Sequence, residues 1–146
     1  MSRSRLLLPG IGALLLCACG GAVGEGEATF AIDQQALLSR GLLSLTVEPY
    51  AGEDVNGRLL DCDFLIDSYN ASTDFVPLVT SQIVNLSGEN AVTLEVLDLS
   101  PGIAFFLVLG HDELDALGAI THVGCGEGVI RRGEKTPVTV ALLPVP

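Results

Sequence analysis

The side chains of this chain best suited to chemistry are four cysteines, Cys17, Cys19, Cys62 and Cys125, and two histidines, His111 and His122. Thiols pair with one another, ligate metals or carry acyl groups, and the compartment decides among these outcomes. His122 stands three residues before Cys125 in "HVGC". With Cys62 that makes two thiolates and an imidazole, enough protein ligands for an open zinc site. In an oxidising compartment Cys62 and Cys125 would bond to each other instead, and the metal reading would lapse. His111 opens "HDELD" with Asp112, Glu113 and Asp115, donors able to replace the hydration shell of a cation. That run lacks the Asp-x-Asp-x-Asp-Gly spacing of a calcium loop and reads more simply as a solvated hairpin loop.

Asp54, Asn56 and Gly57 in "GEDVNGR" form a second polar loop, with Asp61 and Asp63 a little further along. Asn-Gly is first a turn signal, because both residues tolerate positive φ. His111, Asp112, Asp115, Asp54 and Asn56 therefore stand as calcium candidates whose spacing specifies no site. No cofactor is expected. For nucleophilic catalysis there is no Gly-x-Ser-x-Gly, and two histidines leave few choices of general base. Neither Gly-x-x-x-x-Gly-Lys nor Gly-x-Gly-x-x-Gly occurs. No catalytic residue is nominated, and the chain is expected not to be an enzyme.

Composition narrows the partners. A formal charge of −11 opposes nucleic-acid binding, which needs Lys and Arg to displace counterions from phosphates. With no Trp and 5% aromatic residues, a stacking platform for bases or sugars is not expected. Asn70-Ala71-Ser72 and Asn85-Leu86-Ser87 match the glycosylation sequon.

The N-terminus carries the most specific signal. Arg3 and Arg5 precede an apolar segment, Leu6–Leu16, and small residues follow. This is the order of a secretory signal peptide, and the segment is too short to remain in a bilayer as a spanning helix. Pro9, Gly10 and Gly12 make it a poor candidate for a buried helix. Leu16-Cys17-Ala18-Cys19 resembles the bacterial lipobox, with Leu three before the modified Cys and a small residue just before it. The resemblance implies cleavage after Ala18, diacylation of the Cys19 sulfur (palmitate or a similar chain) and anchoring of the mature chain to a membrane. Gly20, in place of the Asp that signals inner-membrane retention, implies an outer-membrane destination. Cleavage near Gly20 or Ala22, giving a soluble secreted or periplasmic protein, is the alternative. With residues 1–18 removed and Cys19 acylated, Cys62 and Cys125 are left as one pair, and an exported domain would oxidise them to a disulfide.

The expected organisation is a lipoprotein signal peptide over 1–18, a Gly-rich tether over 19–28, and an all-β domain over 29–146. "ATFAI", "LSLTVEPY", "RLLDCDFLID", "SQIVNL", "AVTLEVLDL", "PGIAFFLVLG", "AITHVGC" and "TPVTVALLP" read as strands. Leu43, Leu45 and Val47 alternate with polar residues, as do Leu60, Cys62, Phe64 and Ile66, so each run presents one dry face. Cys62 is then expected to point inward, towards a facing sheet. Ile103–Leu109 is apolar on both faces, the mark of a central strand. Asp33 and Gly41 bracket the best helix candidate as cap and stop. Seven to eight short strands with Gly-rich turns between them predict an antiparallel β-sandwich, Ig-like or prealbumin-like in kind.

The closing segment carries a second resemblance. Leu99-Ser100-Pro101-Gly102 leads into a long buried strand, and Gly133 leads into Thr136–Leu142. That order resembles the back half of prealbumin-like and carboxypeptidase-regulatory-like β-sandwiches, over about a third of the chain. It implies a fold and no reaction. The expected function is thus a cell-envelope lipoprotein whose sandwich binds an envelope protein or glycan, or serves structurally, through loops such as 52–58, 87–91 and 110–118. The alternative is a small calcium-binding or hydrolytic envelope protein that uses the acidic loops.

Overall fold

The strand that is apolar on both faces lies where both faces can be covered. In a computed structural model that describes residues 25–54, 56–70, 77–88 and 91–145, β5 (Gly102–His111) is the middle strand of a five-stranded sheet. β2 (Ser44–Ala51) and β6 (Ile120–Ile130) flank it, both antiparallel, and β3 (Gln82–Asn85) and β8 (Leu143–Pro144) form the edges. A second, three-stranded sheet has β1 (Gly26–Ile32) at its centre, with β4 (Val92–Leu99) antiparallel and β7 (Lys135–Pro137) parallel to it. Strand pairing begins at Gly26, inside the stretch that composition assigns to the tether, and Ala28 is fully buried.

Between the sheets the alternating residues meet as their periodicity requires. Phe30 and Ile32 of β1, Val96 and Leu99 of β4, Leu45 and Val47 of β2, and Phe106 and Val108 of β5 form one core. Phe30 and Phe106 meet edge to face at 5.1 Å, the geometry that aromatic quadrupoles favour. A bulge in β4 sets Asp98 at φ 61, so that Leu99 and not Asp98 turns inward.

The helix bracketed by Asp33 and Gly41 forms as α1 (Gln34–Leu38). The Asp33 carboxylate accepts from Ala36 N at 3.0 Å, and Gly41 takes φ +81.

One expected strand is instead a helix. Residues 62–70 form α2 (Cys62–Asn70), which lies on the outer face of the five-stranded sheet. Its start is coded locally. Asp61 Oδ1 accepts from Phe64 N at 2.7 Å, and Leu60 and Leu65 are both buried either side of the cap, the arrangement of a hydrophobic staple. Cys62, Leu65, Ile66 and Tyr69 share one helical face. They cover Phe105, Leu107, Leu109, Val123 and Tyr50, the outward-facing apolar residues of β5, β6 and β2. An alternating strand would have left that surface in water.

The last segment, 138–142, crosses from the edge of the small sheet to the edge of the large one. Val138 N donates to Thr29 O at 2.9 Å. The crossing lies against the inner face of β6, which is lined there by Gly124, Gly126 and Gly128. No helix among the described residues is long and apolar enough to cross a membrane.

Candidate functional site

The expected cysteine pair forms. Cys62 and Cys125 are joined by a disulfide, with Cα atoms 5.4 Å apart across a sequence separation of 63. Its position differs from the expectation: the bond ties α2 to β6 on the side of the large sheet that faces away from the small one. His122 stays apart from it. Three residues along a strand is an odd step, so His122 and Cys125 occupy opposite faces of β6. His122 lies on the inner side beside Gly110, with its Nδ1 3.0 Å from Thr121 Oγ1. Burial, then the charge of Arg40, hold its pKa below the ordinary histidine value. Cys19 and the leader lie outside the described residues.

The acidic loops resolve into turn hydrogen bonds. His111 is buried, with Nε2 2.9 Å from Thr46 Oγ1 under the outer face of the sheet. Asp115, at φ 57, is clasped from both ends by one side chain: Asn85 Nδ2 donates to its carboxylate at 2.6 Å, and its own N–H donates to Asn85 Oδ1 at 2.7 Å. Ser44 Oγ donates to Glu113 O at 2.6 Å and accepts from Ala116 N at 3.1 Å. Asp112 lies back against Gly118. His111, Asp112 and Asp115 thus diverge. The Asn85 and Ser44 clasp joins residues 30 and 69 apart, and no local pattern announces it.

Asp54 behaves as the Asn-Gly signal implied. Its Oδ1 accepts from Arg58 N at 2.9 Å and from Asn56 N at 2.8 Å, and Gly57 takes φ +76. The backbone N–H of Arg58, more than any other group, lowers its pKa. Asp61 is committed to capping α2, and Asp63 is exposed on the first turn of that helix. Among the described residues, no three side chains of His, Cys, Asp and Glu come together as metal ligands.

What sequence reasoning missed is a cleft between the sheets. Three strands cannot roof five, and the uncovered space near the C-terminal end of β1 is a cavity of ≈ 470 Å³. Ile32, Leu37, Leu45, Val47, Val108 and Val140 line it. Val47 and Val108 are floor residues, otherwise buried in the core. Asp33 and Arg40 stand at its rim. The Arg40 guanidinium donates to Leu142 O at 2.7 Å, closing α1 onto the crossing segment, and forms no ion pair among the described residues. A single Arg amid aliphatic residues is not a pattern that reveals a pocket in sequence, because its walls come from five separate segments.

The opposite end of the domain, where residue 25 leads into β1, has another character. Leu59, Ile103 and Val129 are exposed there, with Ile103 and Val129 paired across β5 and β6. Arg131 and Arg132 follow immediately, in the turn whose Gly133 N donates to Glu25 O. Lys135 is bound by Glu95 and Glu27, whose hydrogen bonds raise its pKa in that order.

No family model matches this chain, and no curated protein and no solved structure matches it either.

Proposed function

We propose that this chain is a non-catalytic lipoprotein of the cell envelope, anchored through acylated Cys19, whose β-sandwich is a binding module. The observation that carries the reading is the Cys62–Cys125 disulfide. It consumes both cysteines of the folded domain, belongs to an oxidising compartment, and leaves Cys19 as the thiol available for lipid once Cys17 departs with the leader. The resemblance of Leu16-Cys17-Ala18-Cys19 to a lipobox supports the same conclusion, and Gly20 favours the outer membrane. Two or three buried acyl chains, at about 0.8 kcal/mol per methylene, hold a domain on the bilayer against any ordinary dissociation.

The layout of the domain agrees with a tether at residue 25. Exposed Leu59, Ile103 and Val129, with Arg131 and Arg132, sit at that end and suit a lipid interface, where apolar groups dip and cations reach headgroups. The cleft opens at the other end, about 20 Å away along the seven residues of β1. The non-catalytic reading is supported by the contact of one ring nitrogen of each imidazole with a threonine hydroxyl, His111 Nδ1 being buried without a partner among the described residues. It is supported too by the commitment of the Asp54 and Asp61 carboxylates to backbone N–H groups and of the Asp115 carboxylate to Asn85 Nδ2.

The test is partitioning. Membrane fractions should hold the native chain, with the acyl mass on an N-terminal Cys19, and Cys19→Ala should release it to the aqueous phase. Unchanged partitioning of the variant would sink the anchor, and free thiols at residues 62 and 125 in protein from the envelope would sink export.

A further inference from the structure

We propose that the cleft between the two sheets binds one linear acyl chain with an anionic head, as in a free fatty acid, with the head at Arg40. The inference names the ligand of the binding module proposed above, although the pocket itself does not depend on the anchor. The cleft is open to solvent at its rim, reaches down to Val47 and Val108, and at ≈ 470 Å³ falls within the size range of small-ligand sites, about 300–1,000 Å³.

Its chemistry selects the occupant. The walls are aliphatic, from Ile32, Leu37, Leu45, Val108 and Val140, so the body of the ligand must be apolar. Phe30 is the one aromatic residue among the described lining residues, and it is buried against Phe106, so it offers little ring surface to favour a flat ligand.

The rim supplies the head site. Arg40 forms no ion pair among the described residues, and its guanidinium is steadied by Leu142 O at 2.7 Å. The other charged rim group, Asp33, has its carboxylate turned to Ala36 N as the cap of α1. A carboxylate at the mouth would thus find a positioned cation with spare N–H donors. Burial first and the charge of Arg40 second lower the pKa of His122 nearby.

The source of the chain is distinguishable. Acyl groups on Cys19 would carry no anionic head for Arg40, so the ligand is assigned as a free acid.

The experiment uses the full exported chain carrying Cys19→Ala, purified without detergent, and titrates it with a dansyl-labelled undecanoic acid. Saturable fluorescence, displaced by lauric acid, is expected. Arg40→Gln should weaken lauric acid about fivefold, the upper end for an exposed ion pair, and leave lauryl alcohol unchanged. Ala36→Trp, at an exposed wall position on α1 where folding is not at stake, should abolish the signal.

Absence of saturable binding overturns the proposal, as does full binding by Ala36→Trp or an unaltered lauric acid affinity in Arg40→Gln. The acylated native chain in phospholipid nanodiscs, with empty nanodiscs subtracted, should bind equally. Binding confined to Cys19→Ala would show that the chain's own lipid fills the cleft and would overturn assignment to a free acid. The pocket is judged by saturable binding to Cys19→Ala in solution and the anchor by whether the native and variant chains partition differently, so failure of the pocket and failure of the anchor are read separately.

Discussion

Gly126 of β6 faces Thr139 of the crossing segment so closely that a Cβ on the glycine would stand 2.6 Å from the Thr139 carbonyl oxygen. Gly124 meets Ala141 O more tightly still, and a Cβ on Gly128 would stand 3.0 Å from Val138 Cγ2. Glycine at every second position thus cuts a trough along one face of β6, and the C-terminal segment lies in it. That segment forms a wall of the cleft and accepts the hydrogen bond from Arg40.

Gly126→Ala should therefore destabilise the domain by about 1–3 kcal/mol, the ordinary cost of overpacking. Gly52→Ala is the control. Its nearest neighbour, Ile103 O, is 3.5 Å from the added carbon and its φ is not positive, so the change should stay within about 0.5 kcal/mol. Urea unfolding of the two variants checks both numbers, and equal losses would refute the trough.

The Cys62–Cys125 bond closes a long loop. At a separation of 63, the chain-entropy relation gives about 4 kcal/mol of stabilisation. Unfolding with and without reductant should show a shift of that order. Because α2 is the element tied down, its amides should lose protection from hydrogen exchange before those of β5 do.

Removing the cap of α2 should be felt modestly, and removing its buried face strongly. Asp61→Ala deletes the bond to Phe64 N and should cost about 1 kcal/mol. Leu65→Ala, at a residue 2% exposed, should cost about 2–5 kcal/mol through lost burial and the cavity left behind. If α2 merely rested on the sheet, the second variant would resemble the first in thermal denaturation.

His122 should impose a pH dependence of definite sign. Burial first and the Arg40 charge second hold its folded-state pKa below the ordinary 6.5. The unfolded chain then binds the proton more readily, so the contribution of neutral His122 is whole above about 6.5 and is lost as pH falls through the folded-state pKa. His122→Gln should flatten the stability profile on the acid side of that value. Arg40→Gln should raise the His122 pKa measured by NMR titration, and a shift in the other direction would contradict the geometry.

The sequence alone determined the elements whose local pattern admits one solution. The two-faced apolar run of Ile103–Leu109 could only be central, Asp33 and Gly41 bracketed a helix, and Asn56-Gly57 made a turn. The sandwich class followed from those strands and turns, and the Cys62–Cys125 pairing followed from cysteine count together with the expectation of export.

Tertiary structure decided the rest, for a physical reason visible in residues 60–69. Leu60, Cys62, Phe64 and Ile66 alternate as a strand would, while Cys62, Leu65, Ile66 and Tyr69 form a helical stripe in the same stretch. Local periodicity cannot choose between them, and the apolar outer face of β5 and β6 does, because only the stripe covers it. The Asn85–Asp115 clasp, the glycine trough and the cleft are likewise meetings of residues remote in sequence. They exist only after two sheets of unequal width have packed.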